Sequence, residues 1–134
     1  YWRRIRTGVS MKILAIDDDA RLLAEIGKIL VRHGHDVDAA TSATAGIARL
    51  KRNMYDFILV DYRMPEHDGM WFMRHAAIPR STKGLLVSSL IETNLVREMS
   101  RAGISGYVMK PFDEEELLRH LALHSNSKRP KEVA

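Results

Sequence analysis

No cysteine occurs among the 134 residues, which excludes disulfides, thiolate metal ligands and thiol nucleophiles together. A reducing cytoplasm is compatible with that absence. Long apolar runs are also missing. Stretches such as FILV at 57–60 reach only four or five residues, far short of the roughly 20 a membrane-spanning helix needs. No signal-peptide pattern opens the chain, and no low-complexity block interrupts it. There is no glycine-rich phosphate loop ending in Lys-Ser or Lys-Thr, which removes that route to nucleotide binding. The expectation is a soluble, cytoplasmic protein with no membrane partner.

What is present suits one compact domain: 134 residues and 46% apolar composition are enough for a sizeable core. The formal charge is +4, but it is unevenly spread. Residues 1–10 hold Arg3, Arg4 and Arg6, and residues 125–134 hold Lys128, Arg129 and Lys131 against Glu132, so the body between them carries about −1. Those basic ends lack interleaved aromatics except Tyr1 and Trp2. They read as solvated termini rather than a nucleic-acid surface, and none is expected on the domain itself. The expected organisation is a leader or remnant over 1–10, one domain over 11–124, and a polar tail or linker over 125–134 that contains Pro130.

From Met11 onward, short apolar runs alternate five times with segments of helical spacing, which predicts a parallel sheet covered by helices on both faces. The expected strands are Lys12 to Ile16, Asp36 to Ala40, Phe57 to Val60, Leu85 to Val87 and Tyr107 to Met109. The second alternates and reads as an edge strand. The first helix should start after Asp19 and bury Leu22, Ile26, Ile29 and Leu30 before His33-Gly34. The second, capped by Ser42, should bury Ile47, Leu50 and Met54. Gly69 opens a third, which Pro79 ends. A fourth runs from about Glu92 to Ala102, and a fifth begins at the cap Asp113 with acids in its first turn.

Three strand ends carry charge. Asp17-Asp18-Asp19 follows KILAI, Asp61 follows FILV, and Lys110-Pro111 follows GYVM. In an open parallel sheet those ends converge on one crevice. Crowded carboxylates repel unless a cation or proton compensates, and an all-oxygen ligand set suits a hard divalent ion that keeps places open for phosphate oxygens. Asp19 alone is equally well placed as a helix cap. Among the six histidines only His120 and His124 have spacing that can share a metal, and no third ligand is apparent. Trp71 is expected to be partly buried.

The segments LAIDDDA, FILVDYRMPEHDGM, LLVSS and GYVMKPF resemble, in order and spacing, the receiver domain of bacterial two-component response regulators of the chemotaxis-regulator kind. The resemblance covers about residues 11–124. It implies a flavodoxin-like (βα)5 three-layer sandwich whose five-stranded parallel sheet has the order 2-1-3-4-5. It also implies roles. Asp61 is the phosphoacceptor, Asp17 and Asp18 are the acidic pair that organises Mg²⁺ or Mn²⁺, and the backbone carbonyl of Arg63 is the remaining protein ligand. Ser88 and Tyr107 are the switch residues, Lys110 is the lysine that meets the phosphoryl group, and the Lys110-Pro111 bond is cis. The expected activity is that of a signalling domain which catalyses its own phosphorylation and dephosphorylation. The expected donor is a sensor histidine kinase or phosphotransfer protein, and a homodimer through the face of the fourth helix, fifth strand and fifth helix is a further expectation.

Two departures concern kinetics. Arg63 and Leu90 lie two residues beyond Asp61 and Ser88, where a long cation and a bulky apolar group should shield the phosphoryl group from water. A phosphohydrolase of the haloacid dehalogenase type is the competing enzyme class. It needs an acid/base Asp two residues after the nucleophile, where this chain has Arg63. Flavin binding needs a hydroxyl- and glycine-rich loop after the first strand, where this chain has Asp17 to Asp19.

Overall fold

The computed structural model describes residues 10–89 and 91–125. The expected leader and tail with their basic residues, and Leu90, fall outside the described residues apart from Ser10 and Ser125. The chain alternates β1 (Lys12–Ile16), α1 (Ala20–Arg32), β2 (Asp36–Ala40), α2 (Ala43–Arg52), β3 (Phe57–Val60), α3 (Gly69–His75), β4 (Lys83–Ser88), α4 (Thr93–Arg101), β5 (Gly106–Met109) and α5 (Glu114–Ser125). All strand pairs are parallel, and the order is β2-β1-β3-β4-β5. This is the flavodoxin-like order expected from the sequence.

Apolar residues on successive strand positions serve opposite faces, which is why ILAI and FILV carry no polar alternation. Leu14, Ile16, Ile58, Val60 and Leu86 face a layer that includes Phe72, Leu95 and Met99. Ile13, Ala15, Phe57, Leu59, Leu85 and Val87 face Leu23, Ile26, Leu30, Leu117 and Leu121. Thus α1 and α5 cover one face while α2, α3 and α4 cover the other. Right-handed crossovers running in opposite directions from β1 produce that division and open the crevice between β1 and β3.

Four helices start where a short polar side chain satisfies free N–H groups. Asp19 Oδ1 accepts from the Arg21 and Leu22 amides at 3.0 and 3.1 Å. Ser42 Oγ accepts from Ala45 at 3.1 Å. Asp68 and Asp113 each accept, at 2.8 Å, from the amides of Trp71 and Glu116.

Several expected details shift. Leu23 rather than Leu22 lies in the core with Ile26 and Leu30, while Leu22 and Ile29 pack at its margin. The three buried residues form an i, i+3, i+7 row, so the helix is seated one residue round from the expected stripe. Met54 is exposed (68%), because Asn53 takes extended backbone after Arg52 and breaks the helical register that aligned Met54 with Ile47 and Leu50. β4 begins at Lys83, ahead of any apolar signal, because the Lys83 amide donates to the Asp56 carbonyl at 3.0 Å and the strand pairs from Phe57 upward. α3 closes at His75, where the Ala76 amide reaches the Phe72 carbonyl at 2.8 Å, short of Pro79. No helix among the described residues is long and apolar enough to cross a membrane.

Candidate functional site

Backbone bonds at the strand ends hold the charged side chains in place. The Asp17 amide donates to the Ala40 carbonyl (3.0 Å), the Asp61 amide to the Ile16 carbonyl (2.9 Å), and the Lys110 amide to the Ser88 carbonyl (2.9 Å). Each of the three residues is therefore tied to the last residue of a neighbouring strand, and their side chains leave the sheet at one height.

Asp17, Asp18 and Asp61 each offer a carboxylate oxygen within 4.8 Å of the others. Among the described residues this is the one group of three or more His, Cys, Asp or Glu side chains gathered closely enough to hold an ion. Asp17 and Asp61 are buried at 3% and 5% exposure, whereas Asp18 faces solvent. Asp17 is engaged twice: Oδ1 accepts from the Asp19 amide at 2.9 Å and Oδ2 from Lys110 Nζ at 2.7 Å. Lys110 Nζ also lies 3.4 Å from Asp61 Oδ1, and the bond joining Lys110 to Pro111 is cis.

One ammonium faces three carboxylates, and the imbalance appears in Asp61. Burial, then the negative charge of Asp17, push its pKa from 3.8 up to about 6; Lys110 pulls it back in part and Asp18 adds to the rise. Lys110 responds in the complementary sense. Burial disfavours its charge, but the bond to Asp17 and the charges of both buried aspartates outweigh that and raise its pKa. An all-oxygen set with surplus negative charge and an exposed member fits a hard divalent cation. The acidic cluster thus has the composition of a Mg²⁺ site.

Beside it, Asp18, Tyr62, Arg63, Met64, Pro65 and Asp68 line an open depression of about 370 Å³. Arg63 is exposed. Ser88 ends β4, buried at 1% exposure. Tyr107 on β5 is 43% exposed and borders a cavity of about 120 Å³ that also touches Leu86, Val96, Met99 and Ile104. Tyr107 is thus exposed at the edge of that space and is not one of the buried core residues.

Two features were not foreseen. His67, Trp71 and His75 form a stacked ladder, with ring centroids 3.7 Å apart for the first pair and 4.2 Å for the second and ring planes within 12° and 18° of parallel. Their regular spacing of four residues was the available signal. The other is the contact between Gly69 and the Asp61 backbone, which no spacing rule reveals. His120 and His124 stack in parallel with centroids 6.1 Å apart.

The family model described as a response regulator receiver domain matches residues 13–122. The chain is 27% identical over 119 residues to the chemotaxis protein CheY of Treponema pallidum, covering 86% of this chain and 83% of that protein. It is 29% identical over 111 residues to the two-component response regulator ORR21 of Oryza sativa, covering 81% of this chain but 16% of that protein. It therefore corresponds to most of the first and a small part of the second. A receiver domain protein (CheY-like) from Methanospirillum hungatei superimposes with a TM-score of 0.83 at 24% identity, over 88% of this chain and 95% of that one. CheY in a CheX-CheY-BeF3-Mg complex from Borrelia burgdorferi gives 0.74 at 21% identity, over 90% and 93%. At these identities the structural likeness shows the shared fold. The match over most of its length establishes that this chain belongs to the response regulator receiver domain family.

Proposed function

We propose that Asp61 accepts a phosphoryl group from a sensor histidine kinase or phosphotransfer protein, and that the phosphorylated domain presents an altered surface to a partner or output. The observation that carries this reading is the buried Asp61 carboxylate held among Asp17, Asp18 and Lys110. Asp17, Asp18, Asp61 and the backbone carbonyl of Arg63 would hold Mg²⁺ or Mn²⁺, which supplies charge neutralisation on the phosphoryl oxygens when bound.

Asp61 needs no general base, because a carboxyl with a pKa of about 6 is mostly ionised at neutral pH. One of its oxygens attacks phosphorus, the P–N bond to the donor imidazole breaks with its electron pair going to nitrogen, and an acyl phosphate forms. Lys110 reaches both buried carboxylates and meets the charge spreading onto the transferred oxygens. The product adds about −1 to −2 of charge and three strong acceptors at the end of β3. Ser88 turns its hydroxyl toward one of them, drawing in the loop after β4, and Tyr107 swings from its exposed position into the adjoining cavity. The surface so altered is formed by α4, β5 and α5, and it serves a partner or a second copy. The module is a switch that catalyses its own phosphorylation and dephosphorylation rather than a dedicated enzyme. It occupies residues 11–124, works in the cytoplasm, and has no membrane or nucleic-acid partner of its own.

Incubation with acetyl phosphate and Mg²⁺ tests the reading by intact mass. The wild type should gain about 80 Da and Asp61→Asn nothing; no gain in the wild type rejects the proposal. Arg63, which is exposed, and Leu90, on its sequence position alone, are proposed to shield the acyl phosphate. Phosphate loss from an Arg63→Ala, Leu90→Ala variant should be severalfold faster than from the wild type, and a slower loss would refute the shielding.

A further inference from the structure

The start of α3 is pressed against the backbone of the residue assigned as phosphoacceptor. A Cβ at Gly69 would sit 2.6 Å from the Asp61 carbonyl oxygen, 3.0 Å from Tyr62 Cα and 3.3 Å from the Asp61 carbonyl carbon. All three are backbone atoms, which cannot rotate aside as a side-chain terminus can. The Gly69 amide also donates to the Tyr62 carbonyl at 2.7 Å, so the same residue supplies both the close approach and the bond that closes it. The loop is pinned at neighbouring points: Asp68 caps α3 through the Trp71 amide at 2.8 Å, and His67 stacks on Trp71 at 3.7 Å. Glu66 takes a positive φ of 70° to make the return, a conformation non-glycine residues seldom adopt. The Asp61–Tyr62 peptide is thus clamped from the far end of its own loop.

We infer that Gly69 is a positioning residue for the cation site. By admitting α3 to contact with the Asp61–Tyr62 peptide, it fixes the backbone that carries the Asp61 carboxylate and leads into the Arg63 carbonyl, the two groups from this loop that would hold the cation. Any side chain at 69 must push α3 away, break the bond to Tyr62 or tilt that peptide, and each response moves ligands against Asp17 and Asp18, which β1 holds independently. Misplacement of reacting groups by about 1 Å costs up to about a hundredfold in rate. This inference rests on the proposed cation and phosphoryl site.

Mg²⁺ affinity measured by calorimetry, with acetyl phosphate uptake by mass, tests it on wild type, Gly69→Ala and Gly84→Ala. Gly84 is the control, since its Cβ would meet Ile104 Cδ1 at 3.1 Å, inside the sheet and away from the carboxylates. Gly69→Ala should bind Mg²⁺ at least about tenfold more weakly and accept phosphate at least about tenfold more slowly, whereas Gly84→Ala should keep the wild-type Mg²⁺ affinity. Wild-type affinity in Gly69→Ala overturns the inference while leaving the site standing, and failure of the wild type to bind Mg²⁺ removes the site itself. Should Gly69→Ala not fold, Asp68→Ser and Asp68→Ala decide. Both remove the same charge, but only serine retains an oxygen to cap α3. Mg²⁺ binding at least about threefold tighter in the serine variant upholds the clamp, and equal affinities reject it.

Discussion

Asp61→Asn is expected to be more stable than the wild type in metal-free buffer at pH 7, by about 2 kcal/mol, and to melt about 8 °C higher. The cause is the Asp61 carboxyl itself. Its folded pKa, raised by burial and Asp17 from 3.8 to about 6, means the fold holds the proton more tightly than the unfolded chain does. Between those two values stability falls as pH rises, and above about 6 the full cost is present, on the order of 3 kcal/mol. Asparagine removes the charge but leaves an amide to be satisfied, which trims the gain. The advantage should shrink as pH falls from 6 and vanish near 4. His35 runs the other way: burial and His33 lower its pKa below 6.5, so its contribution is present above 6.5 and lost on acidification. It is common to both proteins and cancels in their difference. Saturating Mg²⁺ should shrink or reverse the gap, since the wild type, with all three carboxylates, gains more binding energy than the variant. Equal or lower metal-free stability in Asp61→Asn would show that the carboxylates are not in conflict.

The second large effect belongs to Lys110. Its ammonium lies 2.7 Å from Asp17 and 3.4 Å from Asp61, beside a cluster of three carboxylates. Lys110→Met keeps the apolar stem and removes the charge. Phosphate uptake from acetyl phosphate should slow by about a hundredfold or more, the scale for deleting one preorganised charge stabiliser. Mg²⁺ affinity should hold or rise, because a divalent ion no longer competes with the ammonium for the same carboxylates. Asp61 should also titrate higher in the metal-free variant, as the one neighbour that lowers its pKa is gone. The split between a lost reaction and a retained metal distinguishes a residue that meets the phosphoryl group from one that merely props up the fold. Parallel loss of both would assign Lys110 to structure.

Much of this was readable in the sequence because the fold writes its clearest signals in the places that make the site. β1, β2 and β3 match their expected bounds. In β1 and β3 both faces are buried, so each is an unbroken apolar run, and a charge immediately after it marks the strand end. Parallel pairing then brings those ends together without further information, which is why Asp17, Asp18, Asp61 and Lys110 could be grouped from residues about 90 positions apart. Where burial is one-sided or contacts are made by backbone, the signal fades. Lys83 and Gly84 belong to β4 through ladder bonds alone. The choice between Leu22 and Leu23 depends on how α1 is seated, and Met54 lost its place when the helix ended two residues early. Gly69 reads in sequence only as the residue that opens α3. Its contact with Asp61 exists only once the loop has closed. The unequal distances from Lys110 to its two partners, and the pKa rise that burial and Asp17 cause in Asp61, are likewise properties of packed geometry.

The proposal rests on one carboxylate among several carrying the phosphoryl group, and chemical trapping reads that residue directly. Borohydride reduces an aspartyl phosphate to homoserine, so protein treated with acetyl phosphate and Mg²⁺, reduced, digested and sequenced by tandem mass spectrometry records the acceptor. Homoserine at position 61, absent without Mg²⁺ or donor, is the predicted result. Homoserine at position 17 or 18, or none anywhere in a sample that has taken up phosphate, would contradict it.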